Sequence, residues 1–523
     1  MNSKLIVFIT FLVKFSLSAN VLILSGVPAP SHSLWFKHLA HSLALKGHNV
    51  TVLCPDIERK PPTNVSYIHL ENLYSAFYNS SQPNLPYFFH LHELNPLVVL
   101  EQVNEFSIKC CKLSLISEGF HQLLNYPKDY KFDVVIADYM NGGCVATAIM
   151  HRFRNPPLVP AVPYNTLSTS TPLIGSFVYS SMVPNYVFDV TQEMSFWQRA
   201  KNFVYDSYDL YLKMNYVNPQ LDVHLRKLFP RAPSTKELSK HVKLLLINAN
   251  HLIEYQEPMM PSVVPVGGMH IKKPDPLPAD LQQIVSNATN GFVLFSLGSN
   301  ARSEHLGQER IRAILVAMKS FPKVQFIWKF ESDESSLPIP LPENVFIRPW
   351  LPQQDLLAQS NARLFITHSG LLSIQEAIWY GVPIIGIPLF TDQFRNINYC
   401  ESAGIAKRLS VPDLTNSTKF VETMRETLEV PSYLNKMKRL SRMFRDQPEH
   451  PMDRAVWWVE WVIRNPDAKL QSKATTMGWL QKYQYDVLLS FILALVVVLF
   501  VIVVSIHRIY RSCDQVLHKQ KVD

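Results

Sequence analysis

Short apolar runs alternate with longer amphipathic segments along most of the chain, and this alternation predicts a parallel α/β architecture. The runs NVLILSG from Asn20, NVTVLC from Asn49 and FDVVIADY from Phe132 are apolar at most positions, as expected for strands covered on both faces. Between the first two runs, residues 33–46 have the apolar spacing of a helix. A strand–helix–strand unit of this kind implies a parallel sheet.

The apolar runs fall into two groups, which predicts two domains. PLVPAV and KLLLINAN extend the first sheet, whereas GFVLFSLGSN, QFIWKF and NVFIRPW begin a second sheet. The groups are separated by residues 261–281, which are rich in Pro and Gly and carry Lys272 and Lys273, as an interdomain linker would. The sequence therefore predicts two doubly wound α/β domains, the first over residues 20–260 and the second over residues 282–470.

Both ends of the chain carry apolar segments of another kind. Residues 1–19 combine Lys4, an apolar run and small residues at the end, which is the pattern of a secretory signal peptide. Residues 487–506 carry no charge and are long enough to span a bilayer as a helix. Residues 471–486 form the predicted juxtamembrane segment between this helix and the second domain.

The tail after the predicted span is basic. Arg508 and Arg511 follow the apolar segment closely, which favours a cytosolic position for residues 507–523 and a lumenal position for the two domains. Lys519 and Lys521 near the end resemble the retrieval signal of endoplasmic reticulum membrane proteins. We therefore expect a single-pass, type I membrane protein of the endoplasmic reticulum.

Five N-x-S/T sequons fit a chain that passes through the secretory pathway, because they are acceptors of asparagine-linked glycans. They begin at Asn49, Asn64, Asn79, Asn287 and Asn416. Asn49 opens a predicted buried strand, and we therefore expect this sequon not to be used. The other sequons stay open as glycosylation sites.

Composition excludes a nucleic-acid-binding protein. The chain has 523 residues, of which 47% are hydrophobic, and a formal net charge of +8. The basic residues are scattered, without a long basic run or a nucleic-acid-binding module, so we expect no nucleic acid partner. The densest basic cluster lies in residues 436–445 at helical spacing, and we interpret it as a solvated helix face rather than a lipid-headgroup contact.

The cysteines and histidines predict neither a disulfide framework nor a metal site. Six cysteines occur without C-x-x-C spacing, and we expect most of them to be buried apolar side chains. The pairs His38-x-x-His41 and His90-x-His92 lack a convincing third ligand in the sequence. We therefore expect no metal cofactor.

Residues 345–393 place aromatic and polar side chains at the ends of predicted strands. Trp350 follows one strand and offers a face on which a base can stack, and Gln353 lies in the next polar loop. Asp392 and Gln393 follow a later strand and can accept hydrogen bonds from sugar hydroxyls. Because ligands of open parallel sheets bind beyond the carboxyl ends of the strands, we expect these groups in one crevice.

The same stretch contains a predicted helix start that suits phosphate. A strand runs into His368, Ser369 and Gly370, and a helix begins there. The unpaired backbone N–H groups up to Ser373 and the helix dipole attract anions, and His368 can donate if it is protonated or in the right tautomer. Glu376 lies two turns from His368 and can accept from ribose hydroxyls. The combined set suits a nucleoside diphosphate that carries a polyhydroxylated group.

The first domain contributes two polar residues to the rim that faces this crevice. His32 lies where the first strand is followed by the first helix, and Asp138 ends the strand FDVVIADY. Taken alone, such a His is an ordinary loop residue and such an Asp is a helix cap. Together they can form a base and the acid that orients it. In the second domain, Gly298 and Ser299 turn the chain beside the expected diphosphate.

The order W-x-x-Q, H-x-G, E and D-Q of the residues above resembles the donor-binding signature of family-one UDP-glycosyltransferases. The likeness is strongest to the animal branch, in which many invertebrate members have the leucine pair found here at Leu371 and Leu372. It implies the GT-B fold, in which a first domain binds the acceptor and a second binds the UDP-sugar across a cleft. The segment VWWVEWVIR, residues 456–464, would then be a closing helix that crosses back to the first domain.

The resemblance also implies the reaction. His32 and Asp138 match the catalytic pair, so His32 would take the proton of an acceptor hydroxyl while Asp138 orients the imidazole. The transfer would invert the anomeric carbon and give a β-glycoside, without a metal. The implied partners are a UDP-sugar donor, a small lipophilic acceptor such as a phenol or an alcohol, and the membrane; a homo-oligomer is left open.

The chain departs from the family pattern at two positions. Many relatives have H-G-G where this chain has Ser369, and a positive φ there would cost a serine about 1 kcal/mol relative to glycine. Relatives that use UDP-glucuronate often carry a basic residue at the position of Glu257, before Pro258. An acidic residue there would repel a carboxylate, so we expect UDP-glucose as the donor, with UDP-glucuronate as the alternative.

The aromatic residues of the stretch 171–216 allow two interpretations. They form either a wall of the acceptor pocket that touches the membrane or the ordinary core of helices packed on the sheet. We favour core for most of them, with a few facing the pocket. The residues are Phe177, Tyr179, Tyr186, Phe188, Phe196, Trp197 and Phe203.

A non-catalytic binding protein is the main alternative to an enzyme. A nucleotide-sugar sensor or a membrane-tethered carrier of lipophiles would also need the crevice, but it would have no use for His32 and Asp138 together. An NAD(P)-linked oxidoreductase is disfavoured because the G-x-G-x-x-G fingerprint is absent.

Overall fold

The structure of the protein is a computed structural model that describes residues 18–79, 82–86, 91–140, 143–165 and 168–520. The chain divides into two compact units, Met1–Gln471 and Ser472–Asp523, and the first unit contains both predicted sheets. Almost all of the predicted signal peptide lies outside the described residues. So do His90 of one candidate metal pair and Lys521 of the retrieval signal.

The strands of the first domain are short. They are β1 (Asn20–Leu24), β2 (Asn49–Cys54), β3 (Val65–His69), β4 (Tyr78–Asn79), β5 (Gln82–Pro86), β6 (Val134–Asp138), β7 (Leu158–Val162), β8 (Leu245–Ile247) and β9 (Val263–Pro265). Of these, β1, β2, β6, β7 and β8 are almost completely buried. A two-stranded antiparallel ribbon is formed by β4 and β5, and the other seven form one sheet in the order β3-β2-β1-β6-β7-β8-β9. All pairs in this sheet are parallel, as predicted.

Both faces of the first sheet are covered, which explains why its strands read as continuous apolar runs. Alternate residues of β1 point to opposite faces: Val21 and Ile23 enter one hydrophobic cluster, and Leu22 and Leu24 enter another. All four are 3% exposed or less. The strands therefore show no alternation of apolar and polar residues, because neither face of the sheet is exposed to solvent.

The helices of the first domain pack on these two faces. They are α1 (Pro30–Leu45), α2 (Pro96–Leu115), α3 (Glu118–Leu124), α4 (Cys144–Arg152), α5 (Thr171–Ile174), α6 (Phe196–Leu212) and α7 (Asn218–Leu228). The predicted first helix is confirmed, and it begins three residues earlier than predicted, at Pro30. Proline suits this first position because its missing N–H is not needed there.

The second domain repeats the architecture. Its strands are β10 (Phe292–Ser296), β11 (Gln325–Lys329), β12 (Val345–Arg348), β13 (Ala362–Thr367), β14 (Ile384–Gly386) and β15 (Ala406–Arg408), in the order β12-β11-β10-β13-β14-β15. Its helices are α8 (Ala279–Asn287), α9 (Gln308–Lys319), α10 (Gln353–Leu357), α11 (Leu371–Tyr380), α12 (Gln393–Ser402), α13 (Ser417–Glu429), α14 (Pro431–Arg445) and α15 (Pro451–Arg464). All its strand pairs are parallel, which confirms two doubly wound sheets.

Shorter helical segments connect the main elements. The 3-10 helices are Leu73–Phe77, Leu91–Glu93, Ser168–Ser170, Thr235–His241, Ser303–Leu306, Glu334–Ser336, Pro412–Thr415 and Lys473–Thr475. A π-helical segment, Lys213–Val217, joins α6 to α7.

The linker in the structure is shorter than the predicted range, residues 261–281. Val263–Pro265 forms β9, the edge strand of the first sheet, and α8 begins at Ala279. Val263 and Val264 are buried, and a proline is accommodated at the end of an edge strand because no ladder hydrogen bond is lost. The connection between the sheets therefore runs only from residue 266 to residue 278.

The closing helix α15 returns to the first domain, as the resemblance implied. Its buried residues Val456, Val459 and Val462 belong to the same hydrophobic cluster as Trp35 of α1. The Nη1 of Arg454 donates to the carbonyl oxygen of Pro265 over 3.1 Å. This helix thus ties the two domains together.

Polar contacts also join the domains across the cleft. Both guanidinium Nη atoms of Arg408 donate to the Asp189 carboxylate, over 2.6 and 2.7 Å. The Gln375 side chain accepts from the backbone N–H of Gly268 and donates to the carbonyl of Asn248, each over 3.1 Å. Polar side chains of the second domain are therefore bonded to the first domain and to the connection between the domains.

Two of the cysteines pair in a way that the sequence analysis did not predict. Cys111 and Cys144 form a disulfide, with Cα atoms 5.9 Å apart. These residues are 33 positions apart in the sequence, and they meet because α2 packs beside the start of α4. Cys54, Cys110 and Cys400 are buried and free, as expected. The basic residues of α14 are exposed, which agrees with the predicted solvated face.

The second unit contains a long apolar helix. The helices of this unit are α16 (Trp479–Lys482) and α17 (Tyr485–Gln520), and α17 is the long apolar one. Within the part of the chain that the structure describes, Tyr485–Cys513 is the candidate membrane span, with a mean hydropathy of 3.6 and none of its most apolar window buried. The predicted span 487–506 lies inside this helix.

The core prediction for the aromatic stretch is wrong for its helical part. Phe196, Trp197 and Phe203 of α6 are 64%, 74% and 56% exposed. In contrast, Tyr186 is buried in the loop that precedes this helix.

Candidate active site

His32 and Asp138 meet at the carboxyl edge of the first sheet. His32 lies in the first turn of α1 after β1, and Asp138 is the last residue of β6, the neighbour of β1. His32 Nδ1 lies 2.6 Å from Asp138 Oδ2, and the other carboxylate oxygen accepts from the backbone N–H of Met140 over 3.0 Å. Because the carboxylate accepts, the imidazole donates from Nδ1 and presents Nε2 as an acceptor.

Tyr164 connects this pair to the second domain, and the sequence analysis missed it. Its ring centroid lies 6.0 Å from that of His32. Burial raises the pKa of Tyr164 well above its usual value, and the charges of Asp138 and Asp392 raise it further. The negative charge of a carboxylate from each domain thus acts on the same phenol. Tyr164 follows β7, so the strand-end rule that selected Asp138 would have selected it too.

His368 lies between two glycines in the second domain. A Cβ built on Gly298 would come within 2.5 Å of the His368 ring, and so would one on Gly370. Gly298 also has a φ of +81°, which favours glycine. The ring therefore occupies space that only glycines leave open, and Ser299, the next loop residue, is half-buried beside it.

His368 is neutral at neutral pH. Desolvation, together with the charge of Lys329, lowers the pKa of His368 to about 4. A neutral imidazole has one N–H donor, and Nδ1 of His368 lies 3.3 Å from Oγ1 of Thr367. The sequence analysis expected His368 to donate either as a protonated imidazolium or as the right neutral tautomer. The lowered pKa leaves only the neutral tautomer.

Ser369 adopts the positive φ that is less favourable for a serine than for a glycine. Its φ is +69°, and the residue is fully buried. Its carbonyl oxygen accepts from Nδ2 of Asn396 over 3.0 Å. Among the described residues its Oγ has no hydrogen-bond partner, and it lies over Gly386, where a Cβ would approach it to 2.4 Å. The hydroxyl is therefore an unsatisfied donor at the start of α11.

Glu376 is held by a buried hydrogen-bond network. Gln353 Nε2 donates to Glu376 Oε2 over 2.7 Å and to Ser373 Oγ over 3.0 Å. Gln354 Nε2 donates to Glu376 Oε1 over 3.2 Å, and His270 Nε2 lies 3.4 Å from the same oxygen. The structure thus brings three predicted residues together, and it adds Gln354 and His270, which the signature does not contain.

Trp350 is the most exposed of the predicted donor-site residues, at 65%. Its indole is therefore open to a stacking partner. Lys329 Nζ lies 5.7 Å from its ring centroid and 2.5 Å from Oε1 of Glu331. This ion pair was missed because Lys329 belongs to the apolar strand β11 and carries no motif.

Asp392 and Gln393 differ in what they offer a sugar. Asp392 immediately precedes α12, accepts from Nδ2 of Asn396 over 2.8 Å, and has its pKa raised by burial. Gln393 Oε1 already accepts from the backbone N–H groups of Leu389 and Phe390, over 2.8 and 3.2 Å. The predicted acceptor role of Gln393 is therefore wrong for this atom, and its amide NH₂ is the part left to face a ligand.

A cavity lies between the first domain and Arg395 of the second. It is lined by Phe177, Tyr179 and Tyr186 of the aromatic stretch, so a few of these residues do face a pocket. Asp206, Glu257 and Arg395 provide its charges. Burial raises the pKa of Asp206 to about 6.

The model of one protein family matches almost the whole chain. The family is described as UDP-glucoronosyl and UDP-glucosyl transferase, and the match covers residues 21–522. The chain belongs to this family. Among similar proteins, UDP-glucosyltransferase 2 of Dactylopius coccus is 31% identical over 93% of each chain. UDP-glucuronosyltransferase 2B9 of Macaca fascicularis is 31% identical over 90% of each chain.

Solved structures show the fold of this UDP-glycosyltransferase independently. VinC, a glycosyltransferase solved in complex with dTDP, matches 85% of the chain and all of its own with a TM-score of 0.56 and 15% identity. The calicheamicin glycosyltransferase CalG4 matches 86% with a TM-score of 0.55. The fold is therefore GT-B, and the family establishes a UDP-sugar glycosyltransferase.

Substitution of Ser369 tests the backbone strain and the free hydroxyl separately. We expect Ser369→Gly to be more stable than Ser369→Ala by about 1 kcal/mol, because only glycine relieves the positive φ. Both variants lack the hydroxyl, and both should bind UDP less tightly than the unaltered protein if it donates to the diphosphate. Thermal denaturation and UDP titration measure the two effects. Equal stability of the two variants would contradict the strain.

The lowered pKa of His368 predicts a loss of stability in acid. The unfolded chain binds a proton at this residue near pH 6.5 and the folded chain only near pH 4. Between these values the unfolded state binds more protons, so stability falls as the pH falls. We expect His368→Gln to lose less stability between pH 6.5 and pH 4, measured as denaturation midpoints. Parallel curves for the two proteins would show that His368 is not desolvated.

Proposed function

We propose that the protein transfers glucose from UDP-glucose to a hydroxyl of a small lipophilic acceptor, with inversion at the anomeric carbon. The observation that carries the proposal is the 2.6 Å bond from His32 to Asp138, beside the ring of Tyr164. A protein that only bound nucleotide sugars or lipophiles would have no need of an oriented imidazole at this rim.

In the proposed reaction His32 is the general base. Its Nε2 takes the proton of the acceptor hydroxyl while that oxygen forms a bond to the anomeric carbon and the bond from this carbon to the UDP oxygen breaks. The carboxylate of Asp138 fixes the tautomer and stabilises the imidazolium that forms. An α-linked donor then gives a β-glycoside and UDP.

The departing diphosphate is stabilised by neutral donors in this proposal. The start of α11 at Gly370 offers backbone N–H groups, and a neutral His368 offers one ring N–H. No metal takes part in the proposed step.

The charges at the domain boundary support glucose as the donor sugar. Two carboxyl groups, Asp206 and Glu257, line the cavity with one guanidinium, Arg395. A glucuronate carboxylate would meet two groups of its own charge there, whereas a glucose hydroxymethyl group would not. UDP-glucuronate is the second candidate, because Arg395 lies three residues after Asp392 and could pair with a carboxylate.

We further propose that the protein is anchored in the endoplasmic reticulum membrane by α17. The two domains would be lumenal, since Arg508 and Arg511 follow the apolar segment and mark the cytosolic side. The invertebrate type of the family is proposed on the Leu371–Leu372 pair.

Replacing His32 tests whether the protein is an enzyme of this mechanism. We expect His32→Ala to lower kcat by about 10²- to 10⁴-fold while UDP binds with unchanged affinity, because the base is lost and the donor site is intact. Asp138→Asn should also lower kcat, because the amide cannot hold the imidazole in the required tautomer. Turnover with phenols and UDP-glucose, together with UDP titration, measures both.

His41→Ala is the matched control for His32→Ala. His41 is on the same helix and lies 2.8 Å from a carboxylate, that of Glu58. We expect this variant to keep its activity, since the loss should depend on position and not on removal of a histidine. Full activity of His32→Ala would refute the mechanism.

Glu257→Arg tests the donor sugar. Replacing the carboxylate by a guanidinium removes a repulsion and adds an attraction, so we expect the ratio of kcat/KM for UDP-glucuronate over UDP-glucose to rise at least about tenfold. Glu257→Gln should give an intermediate ratio. A preference of the unaltered protein for UDP-glucuronate would show that the donor is misassigned.

A further inference from the structure

Helix α6 buries polar side chains and exposes apolar ones, which is the reverse of an ordinary surface helix. Its buried positions include Asn202, Asp206 and Asp209, which are polar. Its exposed positions are largely aromatic or apolar. A surface helix of a soluble protein normally has the opposite arrangement, with the apolar stripe facing the core.

The exposed side chains of α6 form one continuous stripe. Trp197, Val204 and Tyr211 are seven residues apart, and Phe196 and Phe203 flank them with the same spacing, so all lie on one side of the helix. We call these five residues the outer face of α6. They are 64% (Phe196), 74% (Trp197), 56% (Phe203), 52% (Val204) and 59% (Tyr211) exposed.

Hydrogen bonds prevent the helix from turning this face inward. The carboxylate of Asp209 accepts from Asn104 Nδ2 over 3.1 Å and from Ser168 Oγ over 3.0 Å. The carboxylate of Asp206 accepts from Ser180 Oγ over 2.6 Å and from Asn185 Nδ2 over 2.7 Å. Rotation of α6 would break all four bonds.

Cations border the outer face on both sides. Arg199 and Lys201 are exposed, one residue beyond either edge of the stripe on the helix surface. Aromatic side chains flanked by Arg and Lys are typical of helices that lie in the interface of a bilayer, where indole and phenol rings are amphipathic and cations meet lipid phosphates. A second copy of the same face would be repelled by its own cations.

The chain leaves the first unit close to this region. Gln471, the last residue of the unit, donates from Nε2 to the carbonyl oxygens of Leu173 and Ser239, over 3.0 and 2.5 Å. Leu173 shares a hydrophobic cluster with Leu221 of α7, the helix that continues α6. Only residues 472–484 separate Gln471 from the apolar helix, which is at most about 45 Å of chain.

We propose that the outer face of α6 docks on the membrane surface, with Trp197, Val204 and Tyr211 in the lipid interface. The tether keeps the bilayer within reach, and the cations select lipid headgroups. Asp206, on the opposite side of α6, lines the interdomain cavity, so the docked helix separates this cavity from the lipid by one helix thickness.

Photolabelling of the full-length chain tests this docking. The protein is reconstituted in phosphatidylcholine vesicles, with and without phosphatidylserine, that contain a carbene-generating probe in the acyl region; labelled peptides are identified by mass spectrometry. We expect the 196–211 peptide to be labelled about tenfold more than the peptide that contains Trp457, which is also exposed but lies on α15. Labelling of α17 is the internal reference for insertion.

Variants of the full chain identify the contact. The combined substitution Trp197→Ser, Val204→Ser and Tyr211→Ser should abolish labelling of the helix and leave that of α17 unchanged. Val316→Ser, at an exposed apolar position of α9, should change neither. The proposal is overturned if α17 is labelled and the 196–211 peptide is labelled no more than the Trp457 peptide. It is also overturned if this peptide is protected from a water-soluble probe without being labelled from lipid, because a second protein copy then covers it.

Discussion

The bond between His32 and Asp138 depends on a constraint of parallel sheets, namely that all strands end at the same edge. Because β1 and β6 are neighbours, the residues that follow them are adjacent although they are 106 positions apart in the sequence. Tyr164 enters the same place after β7, the next strand. The second sheet obeys the same rule, and His368 and Asp392 follow two of its neighbouring strands, β13 and β14. The cleft is thus a consequence of two parallel sheets that face each other.

Burial rather than formal charge sets the electrostatics of the donor site. His368 stays neutral because it is desolvated and because the charge of Lys329 disfavours a second cation. Glu376 takes its partners from two glutamines of α10 and from His270. His368 and the start of α11 therefore present neutral hydrogen-bond donors, which can stabilise an anion electrostatically.

The same buried polarity has a consequence at the surface. Helix α6 satisfies Asp206 and Asp209 inside the first domain, and this leaves its aromatic residues outside. An exposed apolar patch of this kind marks a surface that interacts with another protein or with a membrane. Polar interior and apolar exterior are thus two results of one helix orientation.

The sequence by itself determined the two parallel sheets, the apolar C-terminal helix and the residues at strand ends, since apolar runs and their polar termini are local patterns. The tertiary structure alone decided how those residues are used. Gln393 turns its carbonyl towards Leu389 and Phe390, Cys111 finds Cys144, and the aromatic residues of α6 face outward. Each outcome depends on contacts between distant segments, and no periodicity in the chain records which of two faces a neighbouring element will cover.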